Sequence, residues 1–175
     1  DMVYQDGAQI PAENYMKPRL EVELAFVMKS VLEGPSVQIH DVMRATEFVT
    51  PALEVIDYRT EVPRQITDTI ADNAAAGGMI VGGRTIRPMD VDIRWIGATL
   101  SKNGIIEESG VSAAIMGHPA AGIAWLANKL APLDARLEPG QIVLAGSFTR
   151  PVSVATGDVI QADYGPLGAI GVSIV

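Results

Sequence analysis

Hydrophobic and polar positions alternate most regularly along Arg19-Leu20-Glu21-Val22-Glu23-Leu24-Ala25-Phe26. A period of two is the signature of a strand, roughly Arg19 to Met28, and side chains at i and i+2 leave the same face. Glu21 and Glu23 therefore project together, while Val22 and Leu24 face the other way. A second apolar run, Pro51-Ala52-Leu53-Glu54-Val55-Ile56, carries one more carboxylate and reads as a strand to about Tyr58. Between these runs, apolar residues at 39, 42, 43, 45 and 49 predict a helix over 39–49, with Asp41 favourably near its start and Thr50-Pro51 ending it.

The remaining elements follow from the same pattern and its breaks. Residues 1–18, with Asp6-Gly7, Pro11 and Pro18, read as a loop, and Leu32-Glu33-Gly34-Pro35 as a turn. Glu61-Val62-Pro63-Arg64 is a polar connection. A short helix is expected over 66–75, stopped by Gly77-Gly78, then a short strand over 79–81 and a loop over 88–92. Asn103-Gly104 is a strong hairpin signal between strands at 95–101 and 105–109. Pro119 to Leu130 is the clearest helix, with proline at its first position and Ile123, Leu126, Ala127 and Leu130 on one face. Strands are expected over 141–145, 150–154, 158–163 and 169–175. Strands cluster late instead of alternating with helices, so the fold class is α+β, a β-sandwich or roll with a few short helices in a single domain over 1–175.

Composition narrows the chemistry. The chain has 175 residues, 48% hydrophobic and 19% charged, as globular domains do. A net charge of −8 and the lack of a basic run argue against a nucleic-acid surface. No apolar run reaches membrane-spanning length and no signal-peptide pattern opens the sequence, which suits a soluble cytoplasmic protein. With no cysteine and only His40 and His118, any metal must be held by oxygen.

Three carboxylates on apolar strands are costly to bury without a compensating cation. If Glu21, Glu23 and Glu54 converge, they suit a hard divalent ion such as magnesium or manganese. A solvated sheet face gives the same alternation, so spacing alone leaves both readings open. Trp95 and Trp125 read as core aromatics. His118, between Gly117 and Pro119, reads as a helix-entry residue and not as a base. Asp72-Asn73, just ahead of glycines, is a local cap or a ligand contact. Gly146-Ser147-Phe148-Thr149-Arg150-Pro151 is a strand connection or an anion clamp, its arginine suited to a carboxylate.

Taken in order, these segments resemble the fumarylacetoacetate hydrolase superfamily. They are Lys17 to Phe26, Pro51 to Asp57, Ala71-Asp72-Asn73-Ala74, Gly117-His118-Pro119, Trp125-Leu126-Ala127-Asn128-Lys129-Leu130 and Gly146 to Pro151. Within it the chain is similar to the bacterial 2-oxo-hept-4-ene-1,7-dioate hydratases, 2-hydroxypentadienoate hydratases and 4-oxalocrotonate decarboxylases of aromatic-compound breakdown. The resemblance implies a mixed β-roll in homo-oligomers, with one magnesium or manganese ion on Glu21, Glu23 and Glu54. It implies a 2-oxo acid substrate hydrated to a 4-hydroxy-2-oxo acid. Thr149 and Arg150 are expected near that substrate, with Arg150 a candidate for its distal carboxylate. Asp72 and Asn73 are further substrate-side candidates. Decarboxylation, C–C hydrolysis of an acylpyruvate, or a structural role beside a homologous or pathway enzyme are the alternatives. Family members carry about 70–90 further residues ahead of the point matching Asp1, a length within ordinary domain size. The family's proton-transferring lysine and its acidic neighbour lie there, so the catalytic acid/base is not expected among these 175 residues.

Overall fold

The computed structural model describes residues 2–61 and 63–175. Asp1 and Val62, the latter within the polar connection expected over 61–64, lie outside the described residues. The strands are β1 (Val3–Gln5), β2 (Gln9–Ile10), β3 (Pro18–Met28), β4 (Thr46–Asp57), β5 (Ala76–Val81), β6 (Gly97–Lys102), β7 (Ile105–Val111), β8 (Ile142–Leu144), β9 (Val152–Ser153), β10 (Val159–Asp163) and β11 (Ala169–Ile174). The α-helices are α1 (Ile39–Ala45), α2 (Ile66–Ala71) and α3 (Pro119–Leu130). One sheet runs β1-β5-β4-β3-β8, with β9 also on β3, and the other runs β2-β11-β10-β6-β7. Both are mixed, because β1 joins β5 and β2 joins β11 in parallel while the other pairings are antiparallel.

The core lies between the sheets. Leu20, Val22, Leu24 and Phe26 of β3 pack into one cluster with Leu100, Ile160, Ile170 and Val172 of the second sheet. The expected α+β roll is therefore present, and α3 occupies the predicted span. His118 caps α3, its Nδ1 accepting from the Ala120 N–H at 3.0 Å. The Asn103-Gly104 turn has φ of 53° and 81°, as a two-residue hairpin turn needs. Among the described residues no helix is long and apolar enough to cross a membrane.

Five expectations are corrected. Residues 1–18 are not all loop, because β1 and β2 add short parallel edge strands, one to each sheet. The helix expected over 39–49 ends at Ala45, and 46–50 extend β4. There Thr46, Phe48, Val49 and Thr50 pair with Met28, Val27, Phe26 and Ala25, so ladder pairing overrides the helical spacing. Pro51 sits inside β4 without harm. Its carbonyl accepts from Gly82 N–H on the β5 side, and β5 ends at Val81, so no ladder partner there needs the missing N–H.

The helix expected over 66–75 ends at Ala71. Asn73, Ala74 and Ala75 turn back with φ of 52°, 55° and 62°, and Ile66 and Ile70 face outward. Gly77 and Gly78 do not stop a helix but lie inside β5. A Cβ there would meet the Tyr15 ring at 3.0 Å and the Tyr4 ring at 3.1 Å. Finally, Trp95 and Trp125 are not core residues, being 66% and 55% exposed. Trp125 lies off the buried Ala120, Ile123, Ala124 and Ala127 face of α3, and the Lys129 ammonium sits 5.5 Å from its ring.

Candidate metal centre

The long antiparallel pairing of β3 with β4 builds the site. Glu21 and Glu54 are direct partners in the ladder, and Glu23 is opposite Ala52. Partner residues share a face, so all three carboxylates emerge together, away from the inter-sheet core. One oxygen from each lies within 4.8 Å of the other two. Glu21 is 9% and Glu23 2% exposed, so this is a buried face and not a solvated one.

The segment after β8 shapes the site's rim. β8 pairs with β3 at Ala25–Val27 and β9 at Arg19–Leu20, leaving a gap in the ladder beside the carboxylates. Gly146 to Pro151 fills that gap. The Gly146 N–H donates to Glu23 Oε2 at 2.6 Å. Val22 N–H donates to Thr149 Oγ1 at 3.0 Å, and Phe148 N–H to the Val22 carbonyl at 3.2 Å. Ser147 Oγ donates to the Thr149 carbonyl at 2.8 Å and accepts from the Thr149 N–H at 3.1 Å. The two hydroxyls thus replace missing ladder bonds and hold the backbone between Glu21 and Glu23. Gly146 takes φ of 111°, which few other residues adopt without strain.

Tyr164 buttresses the same point from the core side. Its hydroxyl donates toward the Glu23 carbonyl at 3.0 Å and toward that of its ladder partner, Ala52. Its fully buried ring meets Phe148 edge-on, with centroids 6.3 Å apart. Sequence reading missed this residue, since a lone tyrosine before a Gly-Pro turn carries no local signal.

The electrostatics of the cluster are those of crowded like charges. Burial, reinforced by the neighbouring Glu54, pushes Glu21 up to about 7, with the Ser147 hydroxyl opposing. Burial also holds Glu23 well above the carboxylate range, aided by Glu54 and opposed by the Gly146 N–H. Glu54 is raised by burial and lowered by hydrogen bonds from the other two. No lysine or arginine among the described residues pairs with any of the three. Ionising them unaided costs several kcal/mol per charge. A divalent cation removes that cost, and an all-oxygen donor set of this size fits magnesium or manganese.

The other candidates lie apart from the cluster. Asp72 is held by Arg59, whose Nε donates to Oδ1 at 2.8 Å, and Asn73 is exposed in the positive-φ turn. The Arg150 guanidinium donates to Glu108 of β7 at 2.9 Å and is 86% exposed. That partner, Glu108, belongs to the second sheet and not to the carboxylate strands. Of the four substrate candidates, Thr149 alone adjoins the carboxylate strand.

No family model matches the chain. Its sequence is 52% identical over its whole length to the 2-oxo-hept-4-ene-1,7-dioate hydratase of Escherichia coli, covering 68% of that protein. It is 38% identical over 97% of its length to the 4-oxalocrotonate decarboxylase of Pseudomonas putida, covering 65% of that chain. The structure superposes on the 4-oxalocrotonate decarboxylase of Pseudomonas putida G7 complexed with magnesium and adipate. The TM-score is 0.96 at 35% identity, over 99% of this chain and 66% of the other. The chain thus spans about two thirds of these relatives. From this likeness and the shared fold, the chain belongs to the 2-oxo-hept-4-ene-1,7-dioate hydratase and 4-oxalocrotonate decarboxylase group of the fumarylacetoacetate hydrolase superfamily.

Proposed function

We propose that this chain carries the metal-binding part of a hydratase that adds water to a 2-oxo-alkenoate such as 2-oxo-hept-4-ene-1,7-dioate, giving a 4-hydroxy-2-oxo acid. The observation that carries the reading is the converging trio Glu21, Glu23 and Glu54, of which Glu23 is buried and Glu54 half-buried, with no cation paired to it among the described residues. The hydratase name of the Escherichia coli relative and the magnesium in the decarboxylase structure support it.

Glu21, Glu23 and Glu54 would hold one magnesium or manganese ion, which when bound supplies a Lewis acid for the 2-oxygen of the substrate. The chain's own groups do the rest of the positioning. The Gly146 N–H fixes one oxygen of Glu23. Thr149 and Ser147 lock the backbone between the two β3 carboxylates, so their separation is set before any ligand arrives. Burial of Glu21 and Glu23 excludes water from the carboxylates, which strengthens their attraction for a cation. A proton donor and acceptor near the carbon chain are also required. The assembly is a homo-oligomer, to be checked by light scattering.

Decarboxylation is the second reading, favoured by the TM-score of 0.96 to a decarboxylase. One assay separates the two. The whole protein is given magnesium and 2-oxo-hept-4-ene-1,7-dioate, and the conjugated chromophore is followed together with CO₂. Chromophore loss without CO₂, abolished by Glu21→Gln or Glu54→Gln, is the expected result. Release of CO₂ assigns the decarboxylase instead, and turnover that survives both substitutions removes the metal site from the reaction.

A further inference from the structure

Two guanidinium groups rest on one aromatic ring beside this site. Cζ of Arg64 lies 3.7 Å from the Tyr58 ring centroid, and Cζ of Arg19 lies 5.1 Å from it. Neither arginine is within ion-pairing distance of a carboxylate among the described residues. For Arg19 the sequence makes this unexpected. It stands two residues before Glu21, so strand alternation puts both on one face, and the register pairs it with Ile56, next on that face to Glu54.

An arginine so placed would ordinarily neutralise Glu21. Here the guanidinium turns along the strand onto Tyr58 and leaves the carboxylates without a cation. Tyr58 follows β4 and continues the face of Glu54 and Ile56. Its ring attracts each cation, but two positive groups sharing one ring repel each other unless an anion joins them. All three side chains are half-buried, so such an anion would be partly shielded from water.

We infer that Arg19, Tyr58 and Arg64 form a subsite for the second carboxylate of a dicarboxylic substrate whose 2-oxo-acid end lies at Glu21, Glu23 and Glu54. This rests on the proposed hydratase site and names what it selects. The spacing supports it. Tyr58 stands four residues of strand beyond Glu54, about 13 Å. A seven-carbon diacid, with six carbon–carbon bonds of about 1.5 Å in zigzag, spans about 7–8 Å between its terminal carbons, and its contacts at the two ends, each of about 3 Å, make up the remainder. A five-carbon monoacid stops short and leaves both guanidiniums unpaired. Sites built around a polar group reject analogues that lack it.

The test is calorimetric binding with magnesium present, using saturated ligands that cannot be hydrated: 2-oxoheptanedioate and 2-oxoheptanoate. The parent protein is expected to prefer the diacid by about 10–100-fold, the range for one or two charge-assisted hydrogen bonds. Arg19→Gln and Arg64→Gln should each reduce that preference, the double variant should abolish it, and Arg19→Lys should keep part of it. Affinity for the monoacid and for magnesium alone should stay within about twofold, as for independent sites. A preference that survives the double variant, a parent without preference, or equal losses for both ligands overturns the subsite. Tyr58→Leu, which keeps both charges, should weaken diacid binding less than either arginine change. Diacid preference without turnover of the unsaturated diacid refutes the hydratase reading and leaves the subsite standing; turnover without preference does the reverse.

Discussion

Along β3, Leu20, Val22, Leu24 and Phe26 are fully buried toward the second sheet, and the interleaved Glu21 and Glu23 are nearly as buried on the other face. The two faces share a backbone, a ladder and a degree of burial. They differ in what compensates burial. On the inner face each side chain meets other hydrocarbon, which is the ordinary source of fold stability. On the outer face three carboxylates meet one another, and burial raises the affinity of each for a proton, most clearly at Glu21 and Glu23. Inaccessibility alone therefore does not mark a core. A buried face whose charges lack a partner is shaped for something the polypeptide does not supply.

The comparison can be broken from the inner side first. Phe26→Ala should cost about 3–5 kcal/mol of unfolding free energy in urea, as large-to-small changes in packed cores do. The variant should keep the stabilisation that magnesium gives the parent. Glu23→Gln is the reciprocal change. The metal-free variant should be at least as stable as the parent near pH 8, because a charge that is costly to bury is gone. It should lose the magnesium-dependent rise in Tm, which at 100 times Kd corresponds to about 2.7 kcal/mol. A Glu23→Gln protein that still gains Tm with magnesium removes the outer face from metal binding.

A smaller effect is expected where the two faces meet. Tyr164→Phe leaves the ring packing and removes the hydroxyl that bridges the Glu23 and Ala52 carbonyls. About 1–2 kcal/mol of stability should be lost, with magnesium affinity falling alongside it. Calorimetric titration of the variant checks both.

A titrating group away from the carboxylates sharpens the contrast. Burial, assisted by Arg94, holds His118 below its ordinary 6.5, and Asp92 opposes this. The unfolded chain then binds the proton more readily, so stability is complete above about pH 6.5 and falls as pH drops toward the folded value. Protonation also removes the acceptor for the Ala120 N–H. Urea melts at pH 8 and pH 5 should show the parent losing up to about 1 kcal/mol relative to His118→Asn, the scale of one helix cap. The smallest effect is expected from Arg150→Leu. It should shift KM for a dicarboxylate and a monocarboxylate equally, since Glu108 and not the carboxylate face holds this guanidinium.

Much of this was legible without coordinates where the signal is local. Alternation is a property of neighbouring residues, so β3 and the shared face of Glu21 and Glu23 could be read from ten letters. The Asn103-Gly104 turn and the proline-started α3 are local in the same sense. Residues 46–50 were not legible, because their spacing suits a helix and only pairing with Ala25 to Met28 makes them a strand. The exposure of Trp125 was hidden for a similar reason. Periodicity says that a helix has a buried face, but here the small side chains of Ala120, Ala124 and Ala127 take it.

The sequence by itself determined that any metal would be held by oxygen, that two carboxylates share a strand face, and that the fold is strand-rich with few helices. Tertiary structure alone decided that Glu54 stands directly opposite Glu21, because register is set by which apolar face is buried and a one-residue slip would turn Glu54 into the core. It also decided the separate fates of Arg19 and Arg150. Arg19 shares the face of Glu21 and rests on Tyr58, while Arg150 donates to Glu108 of the second sheet. Both are arginines close to the same strand, and the partner that each side chain meets in the folded chain separates them.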